Sequence, residues 1–274
     1  MAVIRIDKYL ADAGIGTRSI IKKELKKGYV TVNGNTIQKP EYKVDPSTDI
    51  ITYLNEEIHL EEYEYYILNK PAGYVSATRD NTAPTVCSLV ASARKDLAPV
   101  GRLDKDTEGL LLITNDGVLA HRLLSPKRHV DKTYFAIIKG IVKDTDVTAF
   151  ANGLVIGDED LNVAMPATLT FYPYTEAQTR QPSLPDHLKQ LALNADNDNL
   201  SYIEVTLHEG KFHQVKRMFQ AVNKEVLYLK RIRFGALCLP EDLASGESRP
   251  LTEEERMLLL DSSGNKTIYD ESTL

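Results

Sequence analysis

Apolar positions near the N-terminus recur at helical spacing: Ile6, Leu10 and Ala13, then, after a break at Gly14-Ile15-Gly16, Ile20, Ile21 and Leu25. Two short helices are predicted, the second with Thr17 as its N-cap. The pattern then changes to alternation from Val30 to Ile37 around Asn33-Gly34, a residue pair suited to a two-residue hairpin turn because both positions tolerate positive φ. Acids return at Asn55-Glu56-Glu57, where a linker is placed. Beyond it, strand-like runs at 65–69, 109–114, 133–139, 167–172 and 202–207 mix with helical runs at 118–124, 144–152, 213–222 and 252–260. Thr252 and Glu255 have the spacing of a capping box. With no regular strand-helix repeat and no GxGxxG loop, the fold class expected is α+β. The polar stretch 175–200 reads as a long surface insertion without chemistry of its own.

Charge changes this picture locally more than globally. The 274-residue chain has a formal net charge of −6, an unpromising total for a nucleic-acid binder. From Pro240 onward, however, nine acids face only Arg249, Arg256 and Lys266, which accounts for the whole excess. Residues 1–43 carry nine Lys and Arg against four acids, and residues 208–235 carry seven against two, so each stretch has a net charge of +5. Such patches suit phosphates. No apolar run is long enough to span a bilayer, the N-terminus lacks an apolar signal segment, and a cytoplasmic location is expected. Cys87 and Cys238 stand far apart with no metal-binding cluster around them, and buried thiols are expected.

The densest chemistry lies in Gly101-Arg102-Leu103-Asp104-Lys105-Asp106-Thr107-Glu108-Gly109, a loop that leads into the apolar run Leu110-Leu111-Leu112-Ile113. A rigid strand presenting a charged loop is a common setting for catalytic groups. Taken alone, the loop has three readings: a solvated acidic turn, a calcium loop, or the carrier of a catalytic aspartate. The calcium pattern fails at its twelfth position, where Asn115 stands instead of a bidentate glutamate.

Together with three further segments, this loop resembles the pseudouridine synthases, in the RsuA-type branch that acts on ribosomal RNA. The other segments are Ile67-Leu68-Asn69-Lys70-Pro71-Ala72-Gly73-Tyr74-Val75, Asp131-Lys132-Thr133-Tyr134, and Glu209-Gly210-Lys211-Phe212-His213-Gln214-Val215-Lys216-Arg217-Met218-Phe219. The N-terminal module is similar to an S4 RNA-binding domain. The resemblance implies an S4-like module over 1–57, a synthase domain over 61–262 with a mixed, largely antiparallel sheet flanked by helices and loops, and an acidic tail over 263–274.

The resemblance also implies site residues. Asp104 is the catalytic carboxylate, acting as nucleophile, charge stabiliser or base, and Lys216 is the cation that keeps it ionised. Tyr134 receives the flipped base, Val215 packs beneath it, and Arg102 anchors the loop or a phosphate. Arg18, Lys22, Lys23, Lys26, Lys27, Lys132 and Arg217 are expected to contact RNA. Lys216 and Arg217 are rivals for the site, since neighbours on a helix point about 100° apart. Isomerising uridine involves no net redox change, so neither cofactor nor metal is expected. The segment from His213 to Phe219 is most similar to the small-subunit branch, which implies 16S ribosomal RNA, or a small-subunit assembly intermediate, as partner of a monomeric enzyme. Large-subunit RNA, a non-catalytic role in ribosome assembly, and metal-dependent phosphotransfer are the alternatives.

Overall fold

Ile6, Leu10, Ile21 and Leu25, from the two N-terminal helical repeats, are fully buried with Val30, Val44 and Ile51 in a single cluster. This computed structural model describes residues 3–58, 63–125, 128–157, 162–173 and 199–262. The first of its two units comprises Met1–Glu64 with Ala91–Leu97. Strand β1 (Ile4–Arg5) leads into α1 (Ile6–Asp12), and α2 (Arg18–Lys26) follows a cap in which the Thr17 hydroxyl accepts from the Ile20 amide at 3.5 Å. Strands β2 (Val30–Val32) and β3 (Asn35–Thr36) form the expected hairpin, with φ of 50° at Asn33 and 78° at Gly34. Strand β4 (Lys43–Val44) pairs with β1, and β5 (Ile51–Tyr53) joins β2 to β6 (Glu56–Glu57).

Two expectations change here. Ile20 is 48% exposed, because Ile21 beside it takes the inward direction and adjacent positions cannot share it. Glu56 and Glu57, placed in a linker, pair as a strand with Tyr53 and Thr52.

The second unit is built on one large sheet. In chain order it contains β7 (Tyr65–Lys70), β8 (Ala98–Pro99), β9 (Glu108–Thr114), α3 (Gly117–Leu124), β10 (Lys132–Lys139), α4 (Asp144–Asn152), β11 (Leu154–Val155), β12 (Val163–Ala164), β13 (Thr168–Tyr172) and β14 (Leu200–Leu207). Then come α5 (Gln214–Ala221), β15 (Glu225–Phe234), β16 (Leu237–Cys238), β17 (Ser248–Pro250) and α6 (Glu253–Ser262). The main strand order is β13-β14-β10-β15-β9-β7-β17. Its pairs are antiparallel except β15 with β9, so the sheet is mixed and largely antiparallel within an α+β fold. The capping box is present: the Thr252 hydroxyl accepts from the Glu255 amide at 3.2 Å, and the Glu255 carboxylate accepts from the Thr252 amide at 2.8 Å.

Strand β9 is covered on both faces, which is why its sequence is a continuous apolar run instead of an alternation. Leu110 and Leu112 join Ile67, Leu119, Leu123 and Phe234 in the main core. At its parallel junction with β15, Gly109 has φ 97°, and a Cβ there would lie 2.2 Å from the Arg231 carbonyl oxygen. Only glycine permits this approach. Cys238 is exposed and Cys87 only partly covered, against the expectation of two buried thiols; a short strand at the sheet's margin leaves Cys238 facing out. Nearly all of the insertion 175–200, and the tail 263–274, lie outside the described residues.

Candidate active site

Strand β7 ends in Lys70, to which no sequence motif assigns a role. Lys70 is fully buried, and its ammonium donates to four backbone carbonyls: Pro71 at 3.1 Å, Asp104 at 3.1 Å, Lys105 at 3.3 Å and Thr107 at 2.7 Å. The loop that carries Asp104 is thus wrapped around a hidden cation. Burial pushes Lys70 down to about 8, against the opposing pull of the Glu108, Asp106 and Asp104 charges. The loop is pinned again where the Ser76 hydroxyl accepts from the Leu103 amide at 3.0 Å and donates to its carbonyl at 2.9 Å. The Gly73 amide adds a bond to the Lys105 carbonyl at 2.7 Å. No local pattern announces this cradle, because its donor and acceptors are up to 37 residues apart.

Asp104 opens into a cleft. Arg102 and Thr107 from the same loop, Tyr134 from β10, and His213, Val215 and Lys216 at the start of α5 line it too. Asp104, Tyr134, Lys216, Arg102 and Val215 are therefore brought together from three separate segments. Lys216 lies with its ammonium 3.6 Å from Asp104 Oδ2, but its hydrogen bonds go to Asp106, at 2.7 and 2.8 Å to the two carboxylate oxygens. Burial works to raise the Asp106 carboxyl, yet the Lys216 bond and charge outweigh it and hold the group below its usual value. The expected pairing of Lys216 with Asp104 is thus a sharing between two acids. His213 takes a left-handed conformation with φ 48° and places Nε2 3.6 Å from Asp104 Oδ1.

Lys132, an expected RNA contact, is turned inward, while Arg217, another, is partly exposed and bonded to backbone. The Arg217 guanidinium donates to the carbonyls of Ile156 and Phe212, locking α5 to the segment after β11, so helix phase assigns the cleft to Lys216. Lys132 is buried, donates to the Val130 carbonyl at 2.7 Å and lies 5.7 Å from the centre of the Phe234 ring. Burial, then the nearby Arg231 charge, push it down to about 8, with Asp131 opposing. Arg18, Lys22, Lys23 and Lys26 on α2, and Lys27 at its C-cap, are all exposed, while Ile21 and Leu25 are buried.

A carboxylate in an open cleft, with a cation beside it and a tyrosine in the wall, matches the chemistry of base isomerisation, and the comparisons agree. The family model described as RNA pseudouridylate synthase matches residues 64–221, more than half of the chain, and that described as S4 domain matches residues 4–50. The chain belongs to the RNA pseudouridylate synthase family. It is 40% identical to an uncharacterized RNA pseudouridine synthase, YtzG, of Bacillus subtilis, over 93% of this chain and 98% of that one. The ribosomal small subunit pseudouridine synthases A of Salmonella typhimurium and Escherichia coli are 37% and 35% identical, each over 92% of this chain and 98% of theirs. A crystal structure of a pseudouridylate synthase superimposes with TM-score 0.59 at 32% identity, over 93% of this chain and 99% of that one. As a pseudouridine synthase, the chain is an isomerase with an S4 domain ahead of its catalytic domain. Among the described residues no helix is long and apolar enough to cross a membrane.

Proposed function

We propose that this synthase converts one uridine of small-subunit ribosomal RNA to pseudouridine, with Asp104 as the reacting carboxylate. The substrate rests on the two small-subunit relatives, which match nearly their whole length. The assignment of Asp104 rests on one observation: it is the carboxylate of the cleft loop, with Tyr134, Val215 and Lys216 gathered around it. In the reaction the bond from C1′ to N1 of uracil breaks, the freed base turns, C1′ joins C5, and the C5 proton leaves to solvent while N1 gains one. A carboxylate beside the anomeric carbon can attack it, stabilise positive charge on it, or accept a proton. Lys216 lies 3.6 Å from the Asp104 carboxylate. Tyr134 offers a face to the extruded pyrimidine. The exposed cations of α2 hold the RNA backbone, the chain acts as a monomer, and its place is the cytoplasm with the ribosomal RNA.

The test is tritium release from small-subunit rRNA transcripts labelled at C5 of uridine. Asp104→Asn, which keeps the size but not the charge, is expected to abolish release while RNA affinity stays within about twofold, since Asp104 makes no phosphate contact in this reading. Full release by that variant would remove Asp104 from the chemistry. Release from large-subunit transcripts alone would reassign the substrate.

A further inference from the structure

Phe212 is the most exposed of the large apolar side chains among the described residues, at 75%. Its ring is not loose. It lies on the His213 imidazole with centroids 3.8 Å apart and planes 20° from parallel, so one face is covered and the other is open to solvent. The backbone beneath is fixed from several sides. The Lys211 amide donates to the Gln214 side chain at 2.8 Å, Gln214 donates to Glu209 at 2.8 Å, and Glu209 accepts from the Met165 amide at 2.8 Å. Arg217 holds the Phe212 carbonyl at 3.5 Å. His213, the lower ring of the pair, lines the cleft and approaches Asp104 to 3.6 Å. A flat aromatic face is therefore presented to water at the rim of a cleft that must receive a base pulled from its stack.

Removing a nucleotide from a stack leaves the neighbouring base with one face uncovered, which opposes extrusion. An aromatic ring at the mouth of the site can cover it, and stacking is tolerant of base identity because every base has a π-face. We propose that Phe212, backed by His213, is a stacking platform for a base adjacent to the target uridine, and so a positioning residue for extrusion. This rests on the reading of the chain as an RNA-directed synthase. Lys211, Lys216 and Arg217, the cations beside it in the chain that keep some exposure, favour a nucleic acid over an apolar protein surface as its occupant.

The chain has no tryptophan, so Phe212→Trp creates a single-indole reporter. With an unmodified small-subunit rRNA transcript as probe, and saturation followed separately by gel retardation, the indole emission is expected to be quenched and shielded from acrylamide. In the tritium assay Phe212→Leu is expected to lower kcat/KM about tenfold, as loss of one stacked base would, while Phe212→Tyr stays near wild type. An indole still open to acrylamide at saturation, or Phe212→Leu turning over like wild type, would overturn the platform. A wild-type enzyme that forms no pseudouridine in the transcript would instead overturn the substrate reading, and the indole titration would still decide the platform.

Discussion

Lys70 and Asp104 show how one residue prepares another without touching the substrate. Four carbonyls converge on an ammonium that water cannot reach, so the loop geometry depends on a proton as much as on the chain. A neutral amine has two N–H donors for those four acceptors and no charge behind Asp104. With Lys70 held down at about 8, turnover is expected to fall as pH rises through about 8. Lys132 has a similarly lowered value, so the pH–rate profile of Lys132→Met separates the two: the alkaline limb should persist. The limb should not reflect unfolding. Both lysines have folded-state values below their ordinary 10.5, so between about 8 and 10.5 the unfolded chain binds more protons, and their titration makes stability rise with pH. A melting temperature that collapses together with activity at pH 8 to 9 would contradict this account. At this scale the sequence singled out Asp104, Tyr134 and Lys216, whose motifs are contiguous and which line one cleft. It did not disclose Lys70, whose partners gather only after folding, nor the inward turn of Lys132, since sequence gives the face of a side chain but not what closes over it.

The elements were more legible than their pairing. Helix α4 falls where its spacing placed it, and the strand runs at 109–114 and 133–139 are within one residue of β9 and β10, because burial on a face writes a period into the chain. The parallel contact of β9 with β15 left no such mark, as Glu108 and Gly109 meet Lys230 and Arg231 from the far end of the domain. It matters because it seats the Asp104 loop against the strand that follows α5. Gly109→Ala is expected to destabilise by about 3 kcal/mol or more, the range of severe backbone and overpacking defects, since the clash is with a main-chain oxygen that cannot rotate away. Urea unfolding would show it. A change below about 1 kcal/mol would mean the strands separate freely, and the junction would then not be what holds the loop.

At the scale of the whole molecule, an acidic protein handles a polyanion by segregating its charge. Replacing Arg18, Lys22, Lys23 and Lys26 by glutamine removes four exposed cations from α2 and nothing from a core. RNA affinity should fall, and the slope of log affinity against log salt should flatten by up to about 0.9 for each lost duplex contact. Melting behaviour should be unchanged. An unaltered slope would mean that this face is solvated in the complex. The organisation into an S4 module and a catalytic domain was readable from the chain, while the membership of Ala91–Leu97 in the first unit was not, since it depends on a return from beyond β7. The wrapping of the Asp104 loop around Lys70 also bears on biosynthesis. Every bond of that cradle lies between residues 70 and 107, so it can close while the later chain is still unmade. Lys216, Val215 and β15 arrive more than a hundred residues later and must find the loop across that distance, the slow kind of contact in folding. A nascent chain released early would lack Lys216, Val215 and the β9–β15 junction that seats the loop.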